Sequence, residues 1–213
     1  MNRNGVKPGF QKAKMLEAAR RLFWEKGYNA TSMREIAIAY GCRPANIYNF
    51  FSDKEEILFE VLREEMEQII NPIKHLEEDD ESSPIEQLRF IIESHLKVTL
   101  SYRRSAKLLF DVALDSLSPD KRKKIVDFRD TYDRIIRKVI HRGIDTGHFP
   151  KVDVRLAGFM IASMITRTRI WFHSKKGVSV SELADFISEF AFNGLRGSGA
   201  QGPEEADLNP DVG

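Results

Sequence analysis

A lone cysteine, Cys42, means that no internal disulfide can staple this chain of 213 residues, which suits a reducing compartment. No run of about 18 uncharged apolar residues exists to span a bilayer. The N-terminus is polar, with Pro8 and Gly9 and no apolar run of the secretory kind. A soluble, cytoplasmic protein with no membrane partner is therefore expected. Neither charge sign dominates: 33 Lys and Arg against 32 Asp and Glu leave +1, so the totals alone do not point to nucleic acid. His75, His95, His141, His148 and His173 show no metal-ligand spacing, and there is no glycine-rich phosphate loop or nucleophile elbow. His141 and Asp145, four apart, read as a surface pair. No catalytic residue, metal or cofactor is assigned, and an enzyme is disfavoured. Strand-type alternation and internal repeats are missing too, so the expected fold is all-α, with about nine helices.

The charge that is present is unevenly spread. Residues 1–52 hold nine Lys or Arg against three acids, a net +6, which leaves the remainder near −5. A basic head on a mildly acidic body suits contact with phosphates. The first nine residues read either as a loose leader or as an arm that brushes phosphate or the minor groove. A first helix, from about Gln11 to Lys26, places Met15, Ala19, Leu22 and Phe23 on one face, and Gly27 stops it.

The stretch from Asn29 to Lys54 organises the head. Ser32, with Glu35 three residues on, has the form of a capping box. Met33, Ile36, Ala37 and Tyr40 then share one helical face. Gly41 supplies a left-handed stop, and Pro44 suits the first position of a second, short helix. Ser52 and Glu55 repeat the capping-box spacing for the next helix. Ile47 and Phe51 must face inward to hold the short helix down, which turns Ala45, Asn46, Tyr48 and Asn49 outward. Asn can pair with adenine, Ala can meet a thymine methyl, and Tyr can bond a phosphate. Lys54 adds a positive charge at a helix start. Two short helices about a glycine turn are the layout of a helix-turn-helix. Cys42, in the turn, reads as packing rather than as a redox sensor.

At these residues the chain resembles the DNA-binding domain of the tetracycline-repressor (TetR) family of bacterial transcription regulators, over residues 11–62. The resemblance is carried by Ala18-Ala19-Arg20-Arg21-Leu22-Phe23, Lys26-Gly27-Tyr28, Thr31 to Ala37, Gly41, Ile47-Tyr48-Asn49-Phe50-Phe51 and Lys54-Glu55. It implies that Thr31, Ser32, Arg43, Ala45, Asn46, Tyr48, Asn49 and Lys54 touch a double-stranded DNA operator. The chain departs from the family at Arg43, where Ser or Asn is usual, and at Asn49, where His is frequent, which bears on which bases are read. A helical adaptor that never touches DNA is the rival reading, and an acyl-CoA-binding enzyme a weaker one.

The rest reads as a helical body. A helix from Asp53 carries Ile57, Leu58, Val61, Leu62, Met66, Ile69 and Ile70, and Pro72 ends or kinks it. The acidic run from Glu77 to Ser83 reads as a solvated hinge. Five more helices follow: one from Pro84, one over Tyr102–Leu117, one from Pro119 to about Thr146, one from Asp153 to about His173 and one from about Val180 to Arg196. In the last two the apolar positions spread beyond a single face, so cover is needed on both sides. A second copy of the chain is the economical cover, through Phe159, Leu183, Phe186, Ile187 and Phe190, and the TetR resemblance implies the same homodimer. The expected domains are 1–53 for DNA binding, with its basic arm, and 54–196 for ligand binding and dimerisation. Residues 197–213 are expected to form a disordered tail.

A regulator of this kind answers to a small-molecule inducer. Arg167 and Trp171 share a face of the penultimate helix, with Arg169 nearby. With Phe110, Met160 and Met164 they would make an apolar cavity with a cationic mouth, suited to an amphipathic anion such as an acyl-CoA. The segment Arg167-Thr168-Arg169-Ile170-Trp171-Phe172 resembles TetR members that sense acyl-CoA. The alternatives are arginines that bridge Asp111, Asp115 or Glu93, or that extend outward at the interface, and a pocket for a neutral or cationic apolar ligand.

Overall fold

The computed structural model describes residues 8–101, 114–172 and 177–196. Among them are eight α-helices and a single 3₁₀ turn, Lys74–Glu77, with no strand. The helices are α1 (Pro8–Lys26), α2 (Met33–Tyr40), α3 (Pro44–Ile47), α4 (Lys54–Ile70), α5 (Pro84–Ser101), α6 (Pro119–Asp145), α7 (Val154–Trp171) and α8 (Val180–Arg196). Phe110, most of the expected helix over residues 102–117, and the tail from 197 lie outside the described residues.

Two cores meet along α4. Its first half, Ile57, Leu58, Val61 and Leu62, closes a head core with Met15, Leu16, Ala19 and Phe23 of α1, Ile36 and Ala37 of α2, and Ile47 and Phe51. Its second half, Met66, Ile69 and Ile70, enters the body core with α5, α6, α7 and α8. Leu114, Leu117 and Ile125 from the body complete the head core. Movement of α4 therefore disturbs both cores at once. The cap of α4 is Asp53, one residue beyond the expected Ser52. Asp53 accepts from the Glu56 N–H at 2.7 Å, and the Glu56 carboxylate reaches back to the N–H and hydroxyl of Ser52. Asp and Ser both cap well, but the pairing with Glu56 sets the register.

The acidic run expected to be a solvated hinge is also held in place. Arg134, Lys138 and Arg142, four apart on one face of α6, reach it together. Lys138 Nζ donates to the Glu77 carbonyl at 2.6 Å, Arg142 Nη1 to the Asp79 carbonyl at 2.7 Å, and Arg134 pairs with Glu77 at 2.7 Å. The run stays largely exposed, as expected of a solvated loop, while these contacts anchor its backbone to α6.

Inside the body, His95 Nδ1 and the Tyr132 hydroxyl share a buried hydrogen bond of 2.9 Å. Burial, with the Arg169 charge nearby, pushes the imidazole from its ordinary 6.5 down to about 3. The folded chain thus refuses a proton that the unfolded chain accepts. This contribution is complete above pH 6.5 and is lost as the pH falls from there towards 3. Urea unfolding at pH 5 should give about 2 kcal/mol less from this group than at pH 7.5. His95→Gln should flatten that difference.

The last two helices are apolar on two sides, as expected. Leu183, Ala184, Ile187, Ala191 and Phe192 of α8 are buried in the body core. Leu183 and Ile187, expected at a subunit interface, are therefore interior residues of the protomer, turned onto the body by the same helical register that points Phe186 and Phe190 away. Phe159, Phe186 and Phe190 remain 50%, 69% and 61% exposed, a broad apolar face on α7 and α8. Arg89 of α5 holds α8 from the side through Asp185 and Glu189 at 3.2 and 3.1 Å.

Candidate nucleic-acid interface

The Ser32 hydroxyl accepts the Glu35 N–H at 3.2 Å, and the Glu35 carboxylate takes the Ser32 N–H at 2.8 Å, so the expected capping box is complete. Hydrogen bonds from Lys26 and Ser32 hold the Glu35 carboxyl down at about 2, so the cap persists through mild acid. Gly41, at φ 87°, ends α2 by donating to the Ala37 and Ile38 carbonyls. An added Cβ there meets nothing within 4 Å, so only the backbone objects. Gly41→Ala should cost about 1–2 kcal/mol, read as a lower urea midpoint with an unchanged slope. Burial pushes the Cys42 thiol above its ordinary value, which suits packing rather than redox chemistry.

Helix α3 has Pro44 at its first position and Arg43 as its cap, without a side-chain cap bond. Only Ile47 of α3 is buried; Arg43, Ala45 and Asn46 are exposed, and so are Tyr48 and Asn49 just beyond it. Five side chains with amide, phenol, guanidinium and methyl groups are therefore exposed around α3, as base and phosphate contacts require.

Two expected DNA contacts are otherwise engaged. Thr31 is 2% exposed, and its hydroxyl donates to the Gly27 carbonyl at 2.8 Å, closing the bend between α1 and α2. Lys54 Nζ donates to the Tyr28 carbonyl at 3.0 Å and lies 4.2 Å from the Tyr28 ring centre. Partial burial lowers the Lys54 ammonium from its ordinary range, and its contact with Tyr28 ties the start of α4 to the bend after α1.

The expected ligand residues separate. Met160, Arg167 and Trp171 fall on the exposed side of α7, while Met164 packs partly against the body core. Ile161, Ile165 and Thr168 define the inward side, and Arg169 follows them. The inward arginine is thus Arg169, whose Nη2 donates to Glu65 at 2.8 Å. Glu65 is 2% exposed. It was legible as a carboxylate inside the apolar stripe of α4, between Leu62 and Met66. The described residues include no group of three or more His, Cys, Asp or Glu placed for a metal, and no helix long and apolar enough to cross a membrane.

Residues 15–61 match the model for bacterial regulatory proteins of the tetR family, and residues 81–195, over half the chain, match the tetracyclin repressor-like C-terminal domain. The chain belongs to the TetR family. It is a DNA-binding transcription regulator, and such regulators work as dimers. Its relatives include the fatty acid metabolism regulator protein of Bacillus subtilis (strain 168), 26% identical, the match covering 85% of this chain and 93% of that protein. The transcriptional repressor KstR2 of Mycolicibacterium smegmatis is 24% identical, over 93% of this chain and 96% of its own. Among solved structures, the TetR-family regulator PfmR of Thermus thermophilus is 32% identical with a TM-score of 0.73, covering 85% of this chain and 98% of that one. AibR, solved with isovaleryl coenzyme A and operator DNA, shares the fold at a TM-score of 0.75 and 22% identity, over 85% and 98%.

Proposed function

We propose that this TetR-family regulator is a cytoplasmic repressor that holds a palindromic operator as a dimer and releases it on binding an acyl-CoA. In this reading residues 1–53 are the DNA-binding head and 54–196 the ligand-binding and dimerisation body, and a second copy covers the exposed apolar face of α7 and α8. The observation that carries the DNA-binding half is α3: four residues pinned by one buried Ile47, with Arg43, Ala45, Asn46, Tyr48 and Asn49 turned outward. Core filler has no use for such a helix. Asn46 and Asn49 would read base edges, Tyr48 and Arg43 would grip phosphate, and Ser32 would approach the backbone from the start of α2. The rival adaptor reading leaves this exposed polar set without a purpose.

The effector class is supported by a relative whose name places it in fatty acid metabolism, and by a fold neighbour solved with an acyl-CoA. The effector acts by preferring a body conformation in which the two heads are misplaced, and weakens operator binding by no more than that preference. The test is selection from a randomised duplex pool, followed by competition with acyl-CoAs of increasing chain length, coenzyme A alone and free fatty acids. Enrichment of a palindrome with half-sites about one helical turn apart, or a multiple of it, released by acyl-CoA alone, is expected. No enrichment removes the reading. Release by free acids but not thioesters removes the effector class. On the selected site, Asn46→Ala should blunt sequence choice, and Tyr48→Ala should weaken all DNA alike.

A further inference from the structure

Three side chains from three elements meet where the head joins the body. Glu65 comes from α4, Arg169 from the last turn of α7, and Trp24 from the end of α1. Arg169 Nη2 donates to Glu65 Oε1 at 2.8 Å, and the guanidinium carbon lies 4.9 Å from the centre of the Trp24 ring. Glu65 is buried and Arg169 largely so, with side-chain exposures of 3% and 19%. Trp24 itself packs against the head core.

A buried ion pair is a poor way to gain stability, because desolvation of both charges offsets most of their attraction. What it gives over an apolar contact is a defined geometry, since the planar guanidinium fixes direction as well as distance. Here that geometry links the helix bearing the dimer face, α7, to the head. A second tie lies ten residues earlier on α4, where Glu55 accepts the Ser118 N–H at 2.8 Å and pairs with Lys121 at 3.5 Å. Ten residues of helix are about 15 Å. Leu117 and Ile125 pack the body against the head core, and the two polar ties, that far apart on α4, add a defined direction to this apolar contact.

We propose that Glu65, Arg169 and Trp24 are positioning residues that set each DNA-binding head relative to the two-fold axis of the dimer. The inference rests on the reading of an operator-binding dimer and assigns to three residues away from DNA the spacing of its two heads. Half-site separation is a geometric demand on both heads together. Release of this tie leaves each head able to grip a half-site and deprives the pair of its register.

The test compares wild type with E65M/R169M, which replaces the pair by apolar chains of similar length and leaves no orphaned charge. Each is titrated with the selected palindrome and with a duplex carrying one half-site. The palindrome should bind about tenfold more weakly, with half-site affinity within about twofold of wild type and the dimer intact by native mass spectrometry. Unchanged palindrome affinity, tighter binding, or an equal loss on both duplexes overturns the assignment. Trp24→Phe, which leaves the ion pair in place, provides the same comparison should the double variant not fold, with a loss of about threefold on the palindrome alone expected. Should wild type select no DNA, the operator reading falls, and the tie is judged by hydrogen exchange instead. Amides 20–26 of α1 should then exchange about tenfold faster in E65M/R169M, and no change there overturns it.

Discussion

Glutamate at both Phe186 and Phe190 should turn the dimer into a monomer and lower operator affinity by more than about a hundredfold, if the second copy covers this face as proposed. Both rings stand away from their own protomer, 69% and 61% exposed, on a helix whose other side is locked into the body by Leu183, Ile187 and Phe192. Covering a phenylalanine is worth about 1.5–3 kcal/mol, and a two-fold interface uses each residue twice. In the proposed dimer, four rings covered by the partner would become four carboxylates, which would remove that gain and add the cost of burying charge. The protomer itself has little to lose, because neither side chain belongs to its core. Thermal unfolding should stay cooperative while light scattering reports half the mass at about 10 µM. The DNA consequence follows from linkage. Two heads on one body present the second half-site at an effective concentration far above that of free protein, and this factor vanishes with the dimer. A dimer that persists in the double variant would place the subunit contact elsewhere on the molecule.

The same helices explain where the sequence misleads. In α2 and α3 each boundary has a local cause, Ser32 with Glu35, Gly41 and Pro44, and all three stand where the pattern puts them. In α7 and α8 apolar residues occur all round, so the contrast that tells inside from outside is lost. Arg167 and Arg169 are two residues apart, about 200° around the helix, and only the packing of Ile161, Ile165 and Thr168 decides that the second faces in. Leu183 and Ile187 exchange places with the expected interface for the same reason. Lys54 and Thr31 were legible as family positions, but their partners are backbone carbonyls of Tyr28 and Gly27, which no side-chain pattern announces. The acidic run at 77–83 depends on cations some 55–65 residues away in sequence. Their spacing on α6 was the available signal. Local chemistry is written in neighbouring residues, whereas facing and pairing belong to the assembled fold.

Ile47→Ala should abolish sequence-selective DNA binding although Ile47 never faces DNA. Helix α3 is four residues long, far below the length at which a helix holds itself together in water. What keeps it is one side chain at 0% exposure, with Phe51 at 1% four residues on. Removal of three carbons from a site enclosed by α1, α2 and α4 leaves a cavity, and the expected loss is about 2–5 kcal/mol. Ile47→Val, which removes one carbon, should cost about 0.5–1.5 kcal/mol and retain binding, so the two variants grade the effect. The DNA effect should exceed the stability effect because, in the proposed reading, recognition by Asn46, Tyr48 and Asn49 needs them held within a few tenths of an ångström, and all three hang on the backbone that Ile47 pins. The body core, on the far half of α4, shares no atom with this site, so dimer mass should be unchanged while the palindrome goes unbound. Selective binding by Ile47→Ala at wild-type affinity would mean that α3 is held by something other than its single buried residue.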